Sequence, residues 1–235
     1  MTITSPHNEH LKEIRKLNQR RRNRDQSGRF VAEGEDLLAA ADSAGWEPVQ
    51  RFCAEGSGLP GTEVDAKLLA AASELGSGTR ALAVYEERWA PAPRGPLCLY
   101  LHAVHDPGNV GTILRSAEAF GAASVVIGPG TADPFGPKAV RASMGSVFAV
   151  PLARASGPGK LPGPTVALAA EGATALGELA LTDATLLIGS EREGLPADVV
   201  GAADHVARIP IATHSLNAAM AATVALYEVS RMAAG

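Results

Sequence analysis

Long apolar runs without alternation mark the second half of the chain. They are rich in large or β-branched residues and are bounded by Gly, Pro or polar positions: LCLYLHAV, ASVVIG, VFAVPLA, TVALAA, ATLLIG and HVARIPI. Runs of this kind are typical of parallel strands covered on both faces, and the segments between them are long enough for crossover helices. The pattern therefore predicts an α/β fold whose larger part is a doubly covered parallel sheet.

The first half of the chain reads as a smaller α/β unit. Its apolar patterning predicts three short strands, RFVAEG, VQRFCAE and RALAVYEE, and two amphipathic helices that end at glycine, EDLLAAADSAG and DAKLLAAASELG. The stretch that follows, WAPAPRGPL, places three prolines within six residues, which favours a stiff extended connector over a helix. We expect a first domain over residues 1–89, a linker over 90–96 and a second domain over 97–235.

Composition narrows the class of protein. With 235 residues, of which 46% are hydrophobic and 20% charged, the chain can bury a core and fold by itself. No apolar run approaches the roughly 20 residues that a membrane helix needs, and the first residues lack the apolar run of a signal peptide. Cys53 and Cys98 are far apart, and the histidines have no ligand spacing. We expect a cytoplasmic protein with no membrane segment and no metal.

Positive charge is concentrated near the start of the chain, although the formal net charge is -4. Residues 12–29 hold eight Lys or Arg against two acids. A solvated helix face and a phosphate-binding surface explain such a run about equally well. Aromatic residues make up only 4% of the chain, which disfavours recognition of single-stranded bases by stacking. A nucleic acid, if bound, would be held through its backbone and shape.

The segment HDPGNVGTILRSAEAFG predicts a helix that carries one cation away from its apolar side. Asn109 follows a Pro-Gly turn and can cap the helix, and Gly121 suits the position after its end. The apolar residues fall at i, i+3, i+4 and i+7 from Val110, which turns Arg115 about 140° away from the start of that stripe. A surface pair of Arg115 with Glu118 would explain this arrangement without any chemistry.

Two further loops follow predicted strands. LLIGSEREGLP leaves its strand through Gly189 and offers Glu191, and RIPIATHSLNAAMAATVALYE enters a nearly all-apolar helix at Ser215, with Asn217 in its first turn. The carboxyl ends of parallel strands meet at one edge, where open α/β sheets bind ligands. Each polar residue could equally be a cap or satisfy its own loop. Three such loops on one sheet favour a shared site.

Together the three loop segments resemble the three motifs of the SpoU/TrmH family of RNA ribose 2′-O-methyltransferases, which belong to the SPOUT superfamily. The resemblance spans about residues 95–232, and IRKLNQRRRNRDQSGRFVAEGEDLLAAA resembles the substrate-binding domain that many members carry. It implies RNA as the substrate and S-adenosylmethionine as the methyl donor. It also implies a C-terminal SPOUT domain with a deep trefoil knot, a small ribosomal L30e-like first domain and a homodimer.

The resemblance also implies roles for residues of this chain. Five positions match polar residues of the motifs, with catalytic or positioning roles: Asn109, Arg115, Glu191, Ser215 and Asn217. Three match positions whose backbone lines the cofactor pocket: Gly189, Ile209 and Leu216. With RNA as the substrate, five residues of the basic run are expected to contact phosphates: Arg15, Lys16, Arg20, Arg21 and Arg22. The third motif departs from the usual Ser-Leu-Asn-Val-Ser, since Ala218 and Ala219 follow the asparagine, and His214 stands where an acid is frequent.

Arg115 is the family's favoured catalytic residue, but its guanidinium is protonated at ordinary pH and makes a poor base. We expect Arg115 to hold the phosphate next to the target ribose and to stabilise developing alkoxide charge. The hydrogen bonds that hold donor and ribose would come from Asn109, Ser215 and Asn217, while Glu191 steadies its loop.

Alternatives remain at this point. The separate basic first domain favours ribosomal RNA over transfer RNA as the substrate. A non-catalytic RNA-binding protein that keeps the fold is supported by the two alanines of the third motif. A nucleotide-dependent oxidoreductase is disfavoured, because Gly128 and Gly130 in VVIGPG lack the third glycine of the dinucleotide fingerprint.

Overall fold

The computed structural model describes residues 2–74, 78–213 and 215–234 and divides the chain into two compact units. The first unit contains the chain up to Arg88 together with Asp133–Ala149. The second unit contains Trp89–Ala132 and the chain from Val150 onward. The segment Asp133–Ala149 therefore follows the proline-rich connector in sequence but packs within the first unit.

The elements are numbered along the chain. The helices are α1 (Glu9–Gln19), α2 (Arg21–Ser27), α3 (Glu35–Ser43), α4 (Ala66–Ala72), α5 (Pro107–Ala119), α6 (Pro137–Ala142), α7 (Ser146–Ala149), α8 (Ala197–Gly201) and α9 (Ala218–Ala234). The strands are β1 (Arg29–Glu33), β2 (Gln50–Ala54), β3 (Thr62–Val64), β4 (Ala81–Glu86), β5 (Leu97–Leu101), β6 (Ser124–Ile127), β7 (Leu152–Arg154), β8 (Thr165–Leu168), β9 (Thr174–Ala175), β10 (Ala184–Ile188) and β11 (His205–Arg208). No helix within the described ranges is both long enough and apolar enough to cross a membrane.

The first unit is built on a four-stranded sheet in the order β1–β4–β2–β3. β4 is antiparallel to β1 and β2, and β3 is parallel to β2. On this sheet α1 buries Leu11, Ile14 and Leu17, and Asn8 caps that helix by accepting a hydrogen bond from the backbone N–H of His10 at 3.0 Å. The structure confirms the three strands and two helices predicted here, except that α4 ends at Ala72 and the predicted end at Gly76 lies outside the described residues. It adds β3, whose three residues are too few to show a period.

An aromatic cluster holds Asp133–Ala149 in the first unit. The ring of Phe30, on β1, lies 4.7 Å from that of Phe135 and 5.9 Å from that of Phe148, measured between centroids. Trp46 packs edge-on against Phe148 at 5.2 Å and donates its indole N–H to the Phe148 carbonyl oxygen at 2.8 Å. Aromatic pairs in such arrangements contribute about 0.5–1.5 kcal/mol each beyond the burial of their area. These contacts explain why the segment packs here.

The same segment overturns one predicted strand. VFAVPLA was expected to form a single strand, but its first part lies in α7 and only its last residues enter β7. Pro151 separates the two elements. The prediction failed because a short apolar run cannot distinguish a buried helical turn from a buried strand by its period.

The second unit is built on a seven-stranded sheet in the order β7–β6–β5–β10–β8–β11–β9. Every neighbouring pair is parallel, which confirms the predicted α/β fold with a parallel sheet. Five of the predicted runs form β5, β6, β8, β10 and β11, whereas β9 has only two residues and was not predicted. The adjacent strands β5 and β10 lie inside the sheet, with β6 and β7 beyond β5 and with β8, β11 and β9 beyond β10.

Arg24 shows that the basic run is not all surface. Its side chain is only 6% exposed, and its Nε donates a hydrogen bond to Asp133 Oδ2 at 2.8 Å. Arg24 Nη1 also donates to the carbonyl oxygen of Leu17, and Asp133 Oδ1 accepts from the backbone N–H of Phe135 at 2.9 Å. Removing one partner of such a buried pair leaves the other charge without compensation. The pair therefore anchors α2 to Asp133–Ala149.

Replacement of Arg24 by alanine is expected to destabilise the protein by about 3–5 kcal/mol, because the carboxylate of Asp133 loses its buried partner. Arg22→Ala is the matched control from the same helix. Its side chain is exposed, and such a substitution changes stability by no more than about 0.5 kcal/mol. Urea unfolding followed by circular dichroism measures both variants, and equal stability of the two would contradict the anchoring role of Arg24.

Candidate functional site

The carboxyl ends of β5 and β10 form the edge at which two of the predicted loops leave the sheet. The two strands pair from Leu97 with Ala184 to Leu101 with Ile188. The backbone N–H of His102 extends the pairing by donating to the Ile188 carbonyl oxygen at 2.8 Å. On one side of this pair lie β6 and β7, and on the other lie β8, β11 and β9. A reversal of strand order opens a crevice at the carboxyl ends of the strands, where α/β proteins bind ligands.

The first loop enters α5 through Asp106. Its Oδ1 accepts hydrogen bonds from the backbone N–H groups of Gly108 at 2.5 Å and Asn109 at 3.3 Å, and Pro107 occupies the first helical position. The prediction that Asn109 caps the helix is therefore wrong. The proline sets the start, since its fixed φ suits the first turn and it has no backbone N–H that needs a partner. The side chain of Asn109 is left for other contacts.

The helix of the third motif, α9, has its cap two residues later than predicted, at Asn217 and not at Ser215. Asn217 caps it, because its Oδ1 accepts from the backbone N–H groups of Ala219 at 2.9 Å and Met220 at 3.3 Å. Ser and Asn are comparable caps, and the sequence offers both within three positions. Ser215 lies exposed in the loop before the helix, and His214 is outside the described residues.

A chain of side-chain hydrogen bonds connects the three loops. Asn217 Nδ2 donates to Asn109 Oδ1 at 3.1 Å, and Asn109 Nδ2 donates to Glu191 Oε1. The amide of Asn217 is used at both ends, since its oxygen caps α9. Because amide nitrogens donate and amide oxygens accept, this network fixes the orientation of both asparagines. The structure thus brings Asn109, Glu191 and Asn217 together.

The loop after β10 is a closed turn. Ser190 and Gly194 exchange two backbone hydrogen bonds of 3.1 Å, and Ser190 Oγ accepts from the backbone N–H of Glu193 at 3.1 Å. The turn passes so close to Gly189 that a Cβ there would lie 2.2 Å from the carbonyl carbon of Gly194. Only glycine allows two backbone segments to approach in this way. The turn presents Glu191 to Asn109 on a rigid support.

A cavity of about 800 Å³ lies at this edge of the sheet. Its wall includes five of the predicted residues: Gly189, Glu191, Ile209, Ser215 and Leu216. Much of the remaining wall is aliphatic and comes from the segments after β8, β10 and β11. The charged residues of the wall are Glu171, Glu191, Arg192 and Glu193. This volume is in the range of pockets that enclose small organic ligands, and the surplus of carboxylates favours a ligand with a positive charge.

Arg115 lies on the exposed face of α5 and is not part of the cavity wall. Its side chain forms no hydrogen bond or ion pair with the residues that the structure describes, so the pair with Glu118 considered above is not formed. Asn109 and Asn217 are also absent from the wall, but their hydrogen bonds connect them to it through Glu191.

Tyr100, on β5, lies buried beneath these loops. Its Oη is 3.3 Å from His102 Nδ1. Burial, followed by the negative charge of Asp198, raises the pKa of Tyr100, so the hydroxyl keeps its proton at neutral pH and cannot serve as a base. A Cβ at Gly128 would lie 2.7 Å from that Oη. Close packing against Tyr100 therefore explains why position 128 is glycine, and a dinucleotide-binding role is not needed to explain it.

Three contributors to the site have roles that sequence reasoning did not assign. Asp106 holds the first turn of α5, and the Asp-Pro pair is a helix-start signal that could have identified it. Arg192 stands on the cavity wall between two glutamates of the second motif. The segment Leu168–Glu171, which begins with the last residue of β8, also contributes to the wall, but its mostly aliphatic residues carry no motif.

Family models match both parts of the chain. The model of the SpoU rRNA methylase family matches residues 96–227, and that of the MRM3-like substrate binding domain matches residues 8–88. The 23S rRNA (guanosine(2553)-2′-O)-methyltransferase RlmP of Bacillus subtilis is 30% identical over an alignment that covers 97% of this chain and 98% of that protein.

Solved structures are similar over the same length. The AdoMet-bound rRNA methyltransferase from Sinorhizobium meliloti superimposes with a TM-score of 0.85 at 32% identity and covers 98% of this chain and 97% of its own. The SpoU methyltransferase AviRb from Streptomyces viridochromogenes, in complex with the cofactor AdoMet, gives a TM-score of 0.85 at 28% identity, with 96% of this chain and 98% of its own covered.

Replacement of Gly189 by alanine is expected to open the turn after β10. The added Cβ must displace backbone atoms of Gly194, and overpacking of this kind destabilises proteins by about 1–3 kcal/mol. Gly201→Ala, at the end of α8, is the matched control, because no atom lies within 4 Å of the Cβ position there. The amides of Ser190 and Gly194 should lose protection from hydrogen exchange in the first variant alone. Full protection in Gly189→Ala would contradict this account of the turn.

Proposed function

The chain belongs to the SpoU rRNA methylase family, and on that premise we infer that it transfers a methyl group from S-adenosylmethionine to a ribose 2′-hydroxyl of ribosomal RNA. The observation that carries this inference is the convergence of the three motif loops at one cavity, joined by the hydrogen bonds of Asn217, Asn109 and Glu191. Family membership also sets aside the oxidoreductase alternative.

The cavity suits S-adenosylmethionine, which supplies an electrophilic methyl group on a sulfonium when bound. The three glutamates of the wall complement that positive charge, and the aliphatic remainder suits the flat, apolar faces of the donor's base. We propose that the backbone of Gly189, Ile209 and Leu216 holds the donor, since all three line the cavity. We also propose that the second domain contains the trefoil knot that the family resemblance implies.

The polar network positions the target ribose in this proposal. Asn109 and Asn217 offer a fixed amide pair, Ser215 offers a hydroxyl on the cavity wall, and Glu191 holds Asn109 in place. Placing the acceptor oxygen in line with the methyl group supplies much of the rate. Arg115 binds the neighbouring phosphate with its planar fork and stabilises developing alkoxide charge, a role that its permanent positive charge suits.

The alanines of the third motif are compatible with activity. Ala219 is buried, and its backbone N–H is the group that donates to the Asn217 amide oxygen. The contact that fixes Asn217 thus needs no side chain at position 219. These alanines are the support for a non-catalytic role. Because they are compatible with activity, we favour catalysis.

The basic run supplies an RNA-binding surface in this proposal. Lys16, Arg20 and Arg22 are exposed and form no ion pair within the part of the chain described. Arg21 lies 3.6 Å from Asp25, and Arg15 donates to a backbone carbonyl oxygen, but both keep their charge near solvent. The MRM3-like substrate binding domain model covers these residues.

Similarity to proteins described as rRNA methyltransferases favours ribosomal RNA over transfer RNA as the substrate of this chain. A ribosomal RNA substrate would place the protein in the cytoplasm.

We further propose a homodimer that uses α9. The sequence makes this helix nearly all apolar, and the structure shows that it exposes a stripe at i, i+4 and i+7 made of Met220, Val224 and Tyr227. Its other face packs against α5, where Ser116 Oγ and Thr223 Oγ1 lie 2.6 Å apart. An exposed apolar stripe on the helix that starts at the site is well placed for a second copy to cover.

Labelled methyl from S-adenosylmethionine should appear on the ribose of ribosomal RNA in the presence of the protein. Arg115→Ala is expected to reduce kcat by about 10²–10³-fold, because one donor to the developing oxyanion is removed, while binding of S-adenosylmethionine is unchanged. Glu118→Ala, on the same exposed face of α5, is the control and should retain activity. Transcribed, unmodified 16S, 23S and transfer RNAs are the substrates, and mapping of the labelled nucleotide identifies the target. A wild-type protein that labels none of them would overturn the proposed activity.

Neutralising the exposed basic residues should weaken RNA binding and flatten its salt dependence. With Lys16, Arg20 and Arg22 all changed to Gln, the negative slope of log K against log salt is expected to become less steep by about 0.7–0.9 for each phosphate that the variant no longer neutralises. Lys67→Gln, an exposed change on α4, serves as the control for removal of a charge from the same unit. An unchanged slope in the triple variant would contradict RNA binding by these residues and would favour the interpretation of the basic run as a solvated helix face.

A further inference from the structure

Arg192 is an exposed cation on the wall of the cavity that the mechanism above does not use. Its guanidinium has no hydrogen-bond or ion-pair partner within the described ranges. We propose that Arg192 binds a backbone phosphate of the RNA next to the nucleotide that is methylated. This inference rests on the proposed function and adds a residue that fixes how the RNA lies over the site.

The support of Arg192 is rigid. It stands inside the closed turn whose ends are tied by the paired backbone hydrogen bonds of Ser190 and Gly194. The next residue, Glu193, donates its backbone N–H to Ser190 Oγ at 3.1 Å. A side chain on a pre-organised turn loses less conformational entropy when it binds a ligand than one on a loose loop. The turn therefore fixes the backbone from which the guanidinium of Arg192 extends.

The charges around the cavity create a need for such a cation. Glu171, Glu191 and Glu193 all lie on the wall, and Arg192 is the only Lys or Arg among the described wall residues. These carboxylates suit a sulfonium but repel the phosphates on both sides of a ribose that approaches the cavity. An arginine at the same place can offset that repulsion and take a phosphate with two parallel hydrogen bonds.

The position of the turn favours RNA over the donor's own carboxylate as the partner. Glu191, the neighbour of Arg192, is hydrogen-bonded to Asn109 in the first turn of α5. The turn thus lies beside the helix that carries Arg115, where the RNA backbone is proposed to pass. Arg192 is solvent-exposed, as a phosphate-binding side chain at the rim has to be before RNA arrives. The donor's carboxylate is the competing partner, and the experiment separates the two.

The test compares Arg192→Ala with Arg94→Ala. Arg94 belongs to the same unit and is exposed, and its guanidinium has no partner in the described chain, so it matches the change in size and charge away from the cavity. Methyl transfer to transcribed 16S and 23S rRNA gives KM and kcat, and calorimetry gives the dissociation constant of S-adenosylmethionine. Titration with fluorescent fragments of the same RNAs at several salt concentrations shows how strongly RNA binding depends on phosphate neutralisation.

For Arg192→Ala we expect the KM for RNA to rise about 10- to 100-fold with kcat within about twofold, as removal of one charged hydrogen-bond donor implies. The negative slope of log K for RNA against log salt should become less steep by about 0.7–0.9, and the affinity for S-adenosylmethionine should be unchanged. Arg192→Lys should recover part of the affinity, and Arg94→Ala should match the wild type.

Two results would overturn the proposal for Arg192. One is weaker binding of S-adenosylmethionine with an unchanged RNA salt slope, which would assign the guanidinium to the donor's carboxylate. The other is a variant that equals the wild type in every measurement. A wild-type protein that transfers no methyl group would sink the proposed activity instead, while the RNA titrations would still decide the role of Arg192.

Discussion

The hydrogen bonds that run from Asn217 through Asn109 to Glu191 are the constraint on which the site depends. They join residues 108 and 82 positions apart in sequence. Single hydrogen bonds of this kind contribute only about 0.5–1.5 kcal/mol each, so they cannot hold three loops together by themselves. The parallel sheet brings the ends of β5 and β10 side by side, and the packing of α9 on α5 brings the third loop within reach. The bonds then select one orientation for each polar group.

The sequence was sufficient for the sheet but not for the helix starts. Unalternated apolar runs identified five strands of the second unit, because strands buried on both faces cannot expose a polar side. The caps were misassigned because Asp106 and Asn109, or Ser215 and Asn217, are nearly equal as caps, and the choice depends on tertiary contacts. Because Asp106 caps α5, the side chain of Asn109 is available to bond Glu191 and Asn217. No local pattern contains that information.

The basic run illustrates a second limit of sequence reasoning. Its charges look alike in the sequence, but Arg24 is buried against Asp133, which lies 109 positions further along the chain. The sequence does not show that the segment Asp133–Ala149 packs in the first unit. Its apolar residues predict burial but do not indicate which unit buries them. The contacts of Phe135 and Phe148 with Phe30 supply that answer only in three dimensions. The structure thus separates a cation that holds the first unit together from the exposed cations proposed to meet RNA.

Electrostatic screening limits what the basic surface can do for the site. At physiological ionic strength the Debye length is about 8 Å, so exposed cations act on RNA mainly where they touch it. The cations of α1 and α2 can raise the overall affinity for RNA, but none of them is among the described residues that line the cavity with its three carboxylates. A cavity whose acids suit a sulfonium therefore needs cations of its own to receive the phosphates that flank a ribose. Arg115 on the open face of α5 and Arg192 on the cavity wall are the residues in a position to supply them.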